Sequence, residues 1–149
     1  MSPAEAVDRL NTILAHAWMV RTFLKHADEI QDDEAMLEVP RTLYDGIRAV
    51  EPARERGDVA DYLRRLKGKL PKFRRAADHF HSQHKQFSAH TNFEMVAASL
   101  LGVVRGMEEV FAAVNWDEVR ALPMPTERGA EAPRPSDRDP LDDLDIPEV

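Results

Sequence analysis

Apolar residues recur at three- and four-residue steps in four separate segments of the chain, with polar residues between them. This spacing places the apolar side chains of a segment on one face of a helix, so it predicts four amphipathic helices. No segment has the strict alternation that is typical of strands. The four apolar stripes run through residues 6–27, 36–50, 59–87 and 93–114. The last is the most apolar, and we expect its helix to be nearly surrounded by the other three.

Residues that commonly cap helices stand at the start of each segment. Ser2, Asp58 and either Asp32 or Asp33 are in position to cap the first three helices. A side-chain oxygen at such a position accepts a hydrogen bond from an otherwise unpaired N–H of the first turn. Thr91 is followed by a glutamate three residues later, which is a capping-box pattern and predicts the start of the fourth helix.

Prolines predict where the helices bend or end. Pro40 and Pro71 lie inside apolar stripes, where a proline removes a backbone donor and crowds the preceding turn. We therefore expect a kink or a short break at each. Pro52 is expected to end the second helix near Val50, which leaves residues 51–57 as a polar connection.

The predicted fold class is all-α: an up-and-down antiparallel four-helix bundle with a short extra C-terminal helix from Asn115 to about Leu122. Short connections between the helices favour antiparallel neighbours. The bundle is expected to span residues 1–122. Residues 123–149 hold six of the ten prolines and carry a net charge of −5. They are predicted to form a disordered, acidic, proline-rich tail.

Small residues lie together on one side of the fourth helix. Ser99, Gly102 and Gly106 share that side, away from the apolar stripe. A glycine inside a helix costs about 1 kcal/mol relative to alanine, so its presence favours the close approach of another backbone. That backbone belongs either to a helix of the same chain or to a second subunit, which would make a homodimer.

The net charge, the composition and the lack of long apolar segments exclude several classes of protein. The net charge is −7, but the body of the chain is close to neutral because most of the excess acid lies in the tail. There is no cysteine, which excludes disulfides and thiolate chemistry. The N-terminal residues lack the basic and apolar regions of a secretory signal. No apolar run is as long as a transmembrane helix, which needs about 20 residues. We predict a cytoplasmic protein without a transmembrane segment.

Six histidines raise the question of a metal site, since helical bundles build such sites from inward-facing carboxylates and imidazoles. The weak candidate set is His16, Asp78, His81 and His84. The pairs of Glu-x-x-His motifs that a di-iron bundle requires are missing, so structural histidines are the favoured interpretation. His84 lies between two phenylalanines of the apolar stripe, and its protonation in acid is a third interpretation.

The third helix carries a basic segment between Arg64 and Arg75, in which seven of twelve residues are Lys or Arg. Its bases lie opposite the apolar stripe and form either a solvated face or a surface for an acidic partner. Nucleic acid is not favoured, because Phe73 is committed to the core and no exposed aromatic side chain accompanies the bases. The predicted partner-binding residues are Arg64, Arg65, Lys67, Lys72, Arg74 and Arg75.

The tail supplies an acidic ligand of its own. Residues 137–149 contain six acids and one base, with apolar residues spaced between them as in a short docking peptide. We expect this segment either to fold back on the basic segment or to dock on another protein.

No motif of a known catalytic site is present, so no catalytic residue is assigned and no cofactor is favoured. The function predicted from the sequence is a small interaction or adaptor module that uses a basic helix surface and an acidic tail, with a protein partner. The alternative is a metal- or cofactor-binding bundle of ferritin-like shape with a C-terminal docking peptide.

Overall fold

The computed structural model describes residues 1–123, and this part of the chain is helical without any strand. The four long helices of the prediction are present, followed by a short fifth one. The predicted tail, residues 123–149, lies outside the described residues except for Pro123. The helices are α1 (Pro3–Lys25), α2 (Glu34–Arg56), α3 (Val59–Gln83), α4 (Thr91–Ala113) and α5 (Trp116–Ala121), with single 3-10 turns at Asp28–Ile30 and His84–Gln86.

Side-chain caps begin the helices, and three of the predicted ones are confirmed. Ser2, Asp33 and Asp58 each accept a hydrogen bond from the backbone N–H three residues further on, at 3.2, 2.8 and 3.0 Å. The prediction for α4 was wrong. Its cap is His90, whose Nδ1 accepts a hydrogen bond from the N–H of Asn92 at 3.0 Å, and Thr91 is already helical.

The helices continue through their prolines, so the short break that was one of the two expectations at Pro40 and Pro71 does not occur, whereas the kink stays a prediction. Pro40 and Pro52 both lie inside α2, and Pro71 lies inside α3. The prediction that α2 ends near Val50 was also wrong, since α2 runs to Arg56 and ends at Gly57 with a φ of 71°. Ala53 is only 1% exposed, so burial of the turn after Pro52 favours the helix although one backbone donor is missing.

The four apolar stripes meet in a single core, as the periodicity predicts. Most of their residues are buried, among them the aromatic side chains of Phe73, Phe80 and Phe93, each no more than 1% exposed. Four stripe positions at the edges of the core are only partly buried: Ile13, Val59, Leu70 and Phe87. Arg21, 3% exposed, is a charged residue that the pattern did not place in the interior.

Each long helix packs on two neighbours, and α1 and α3 also touch across the core. The start of α1 meets the end of α4, where the Met1 ammonium donates to the carbonyl of Ala113 at 3.0 Å. The other ends of α1 and α4 meet through the rings of Phe23 and Phe93, whose centroids are 6.1 Å apart. α4 packs chiefly on α1 and α3, and Met95 on its outer side is 58% exposed. The expectation that α4 is nearly surrounded was therefore wrong.

Candidate functional site

The seven Lys and Arg residues between Arg64 and Arg75 form one continuous part of the α3 surface, here called the basic surface. All of them are exposed except Lys69, which is partly buried. The apolar residues of the same stretch turn inward, and Leu66 and Phe73 are at most 1% exposed. The helical period thus separates the bases from the core, as the sequence predicts.

Three of the predicted partner-binding residues have partners within the chain. Arg65 donates to Asp61 at 2.9 Å, which is an i, i+4 pair on α3. Arg74 reaches across to α4 and pairs with Glu108 at 3.1 Å. The ammonium of Lys67 lies 4.5 Å from the centroid of the Trp116 ring. These contacts hold one edge of the basic surface against α4 and α5.

The other four bases, which are Arg64, Lys69, Lys72 and Arg75, have no ion pair with any residue in 1–123. Three of these, Lys69, Lys72 and Arg75, line an open cavity of about 370 Å³ between α2 and α3, together with His79. They follow one another at three-residue steps, which brings their charged ends to the same groove. The groove thus collects three of the seven bases of the basic surface.

The opposite wall of the cavity belongs to α2 and carries two acids, Glu38 and Asp45. Glu38 is already engaged by Arg41 at 3.0 Å. The Nε2 atom of His79 is buried and has no hydrogen-bond partner in the described part of the chain. The cavity therefore keeps an excess of positive charge and an unused imidazole nitrogen.

Gly46 lines this cavity and lets the Phe73 ring of α3 approach α2 closely. A Cβ atom built on Gly46 would stand 2.2 Å from Cε1 of Phe73, far below van der Waals contact. Only glycine fits at this position without displacement of the ring. The role of Gly46 could not be predicted from the sequence, since it depends on which helix lies opposite.

The candidate metal residues do not form a cluster. His16, Asp78 and His81 are exposed on the surface, whereas His84 is 5% exposed. The His84 ring stacks on Phe80, with centroids 5.7 Å apart, and its Nδ1 has no partner in residues 1–123. Among those residues, no three His, Asp or Glu side chains lie close enough together to hold a metal ion.

The small residues of α4 differ in their surroundings. A Cβ on Gly106 would lie 3.1 Å from Cδ1 of Ile13, so this glycine does pack closely against α1. Gly102 is exposed, and a Cβ there would meet no atom within 4 Å in the described part of the chain. Ser99 is partly buried. Close packing against α1 thus explains why a small residue stands at position 106. No contact within the described part of the chain requires a glycine at position 102.

The sequence analysis missed a second cluster, made by α1 and α2. The ring of Trp18 lies against Tyr44, with centroids 5.9 Å apart. The guanidinium groups of Arg21 and Arg48 lie 4.8 and 5.5 Å from the centre of the indole ring. A signal existed, because Trp18 and Arg21 are one turn apart on α1 and Tyr44 and Arg48 are one turn apart on α2.

No protein-family model, curated protein or solved structure matches this chain. Among residues 1–123, no helix has the length and apolarity that crossing a bilayer requires.

Proposed function

We propose that this chain is an interaction module that binds acidic segments of a partner protein through the basic surface of α3. The acidic residues 137–149 are, on the same proposal, a binding segment that the chain itself carries. The observation that supports this is the cavity between α2 and α3, where Lys69, Lys72 and Arg75 converge without an acidic partner in residues 1–123.

The cavity favours a peptide over a solvated face for an electrostatic reason. Isolated surface charges gain little from a single ion pair, about 0–1 kcal/mol, because water screens them. Three cations that line one concave surface act together on an anion, and the low-dielectric protein walls focus their field although the cavity is open to solvent. The partly buried Lys69 and the unused Nε2 of His79 add polar groups that an incoming carboxylate can engage.

The packing of the helices supports the finer architecture that the sequence predicts. We propose an up-and-down antiparallel bundle, because α1 packs on α2 and α4 while α3 packs on the same two helices. In this arrangement α2 and α3 present the binding groove and α5 fixes Lys67. A homodimer through the Gly102 side of α4 and a cytoplasmic location stay predictions.

The proposal is tested by titrating the full chain with a labelled peptide that has the sequence of residues 137–149. The variant Lys72→Glu/Arg75→Glu should bind at least tenfold more weakly, about 1.4 kcal/mol, because two attractive contacts become repulsive. Arg9→Glu/Arg105→Glu is the matched control. It changes the net charge equally on exposed positions of α1 and α4 outside the cavity. We expect it to lower the affinity less than threefold.

The two basic residues already in ion pairs are poor choices for this test. Reversal of Arg65 or Arg74 would break the contact with Asp61 or Glu108 and would mix a folding effect with a binding effect. Equal loss of affinity in both charge-reversed variants would refute the proposal, because it would mean that only the net charge matters. Preferential binding of a single-stranded RNA over the peptide would refute the choice of partner.

A second variant separates docking within the chain from docking on a partner. Residues 124–136 separate the acidic segment 137–149 from the described part of the chain. A flexible connection of about a dozen residues would hold an attached ligand at roughly millimolar effective concentration. If the tail occupies the groove, the triple change Asp142→Asn, Asp143→Asn, Asp145→Asn should make the added peptide bind more tightly. Unchanged affinity would show that the tail does not occupy the groove of its own chain.

A further inference from the structure

A second cavity, of about 490 Å³, lies on the opposite side of α2 from the basic groove, where α1, α2 and α3 meet. Its floor is apolar: Leu14, Ile47, Val50 and Tyr62 are between 1% and 8% exposed. Trp18 and Met19 of α1 form one wall, and Met19 is 66% exposed. Concave sites of 300–1,000 Å³ with an apolar lining and a few convergent polar groups are typical of small-molecule binding.

The wall formed by Trp18 is held in place before any ligand arrives. Its indole ring packs against Tyr44 and lies next to the guanidinium groups of Arg21 and Arg48. Arg48 is fixed in turn by an ion pair with Glu51 at 2.6 Å. A preorganised aromatic wall lowers the entropy cost of binding a flat or extended apolar group.

Two polar groups in this cavity are unused. The hydroxyl of Tyr62 is buried and has no hydrogen-bond partner in residues 1–123, although the residue is only 1% exposed. A buried hydroxyl without a partner is rare in folded proteins and points to a group that is absent from the structure. Burial raises the pKa of Tyr62 to about 12 against the opposing charge of Arg54, so at neutral pH the hydroxyl is a donor.

The second unused group is Arg54, which also lines the cavity. Arg48 and Glu51 neutralise each other, whereas Arg54 has no ion pair within the described residues. The cavity thus carries one uncompensated positive charge close to one unpaired hydroxyl donor. A guanidinium and a hydroxyl together match the two oxygens of a carboxylate.

We propose that this cavity binds a small amphipathic carboxylate. The carboxylate accepts from the Tyr62 hydroxyl and pairs with Arg54, while the apolar body lies against Trp18, Ile47 and Val50. Met19 and Arg54 line the cavity with exposed side chains. On this proposal, a change of their rotamers gives the carboxylate access to the buried hydroxyl. The site does not include the basic surface of α3, so this proposal can be refuted or supported independently of the proposed function.

The test uses 4-phenylbutyrate as the probe and its uncharged analogue 4-phenylbutanol as the matched ligand. Binding to the full chain is measured by calorimetry and by the fluorescence of Trp18 in a Trp116→Phe background, since the chain has two tryptophans. We expect saturable binding of the carboxylate below about 1 mM, at least tenfold tighter than the alcohol. No saturation by the carboxylate, or equal affinity of the two ligands, would overturn the proposal.

Three variants assign the contacts. Arg54→Gln should weaken the carboxylate about tenfold and leave the alcohol unchanged, and Tyr62→Phe should weaken it severalfold. Ala15→Phe, at an exposed position of the lining, should block both ligands without disturbing the core. Arg105→Gln is the control on α4 and should change neither affinity. An unchanged carboxylate affinity in Arg54→Gln, or binding that survives Ala15→Phe, would place the ligand elsewhere.

A competition experiment distinguishes a small-molecule site from a site for peptide C-termini. The C-terminus of a peptide can also present a carboxylate next to an apolar side chain. A peptide with the sequence of residues 141–149 is added as competitor, with a free or an amidated C-terminus. Failure of both peptides to displace 4-phenylbutyrate supports a small-molecule site. Displacement by the free peptide alone would reassign the cavity to peptide C-termini and would overturn the proposal.

Discussion

Gly102→Ala tests whether the small-residue side of α4 is open or covered. The position is the middle of a 23-residue helix, where glycine is destabilising by about 0.8–1.0 kcal/mol relative to alanine. The added Cβ meets no atom within 4 Å, and no positive φ opposes alanine there, since Gly57 is the one residue of the described chain with a positive φ. The added methyl group therefore causes no steric clash, and only the higher helix propensity of alanine changes the free energy of unfolding.

The expected result is a gain of about 0.5–1 kcal/mol in the free energy of unfolding. With a urea slope of about 1.5 kcal/mol per molar, the midpoint should rise by about 0.5 M. The melting temperature should rise by roughly 3–5 °C. Gly68→Ala is the matched control, because Gly68 is also exposed, helical and free of atoms within 4 Å of its Cβ. Both changes should stabilise the chain equally, and the double variant should show the sum.

The opposite sign at Gly102 alone would refute this reasoning. If Gly102→Ala destabilises the protein while Gly68→Ala stabilises it, another backbone must occupy the space at Gly102 in solution. Such a contact with a second copy would make the melting temperature depend on protein concentration, because association stabilises the folded state by mass action. Light scattering on the wild type and on Gly102→Ala would then show the loss of the dimer.

Two further predictions concern the interior. Gly46→Ala should destabilise the protein by about 1–2 kcal/mol in urea titrations, because overpacking against Phe73 outweighs the gain in helix propensity; a stability equal to that of the wild type would mean that the ring moves freely. For Tyr62, the folded pKa of about 12 exceeds the unfolded value near 10, so the unfolded chain loses its proton first as the pH rises. Below pH 10 the free energy of unfolding should not depend on the ionisation of Tyr62. Between pH 10 and 12 it should fall by up to about 3 kcal/mol, because the unfolded chain binds fewer protons than the folded one. Tyr62→Phe should lack this decline, and an identical alkaline decline in both proteins would contradict the assignment.

The basic surface shows how far a single sequence reaches toward a binding site. The run of bases and its separation from Phe73 follow from helical spacing and could be predicted. The division into paired and unpaired bases could not, because Arg74 finds Glu108 only after α3 and α4 pack together. The predicted set also omitted Lys69, which lines the cavity beside Lys72. The apolar cavity at Tyr62 gave no signal, since three helices contribute to it.

The helical class, the four apolar stripes and most of the caps follow from the order of the amino acids alone. Those features depend on residues within a few positions of each other, and the helix period alone relates them. Other features follow only from how the helices pack: α2 continues past Pro52, Gly46 accommodates the Phe73 ring between α2 and α3, and Arg54 and Tyr62 line one cavity. These outcomes depend on which faces pack against each other, and distant side chains acquire their neighbours only in the assembled core.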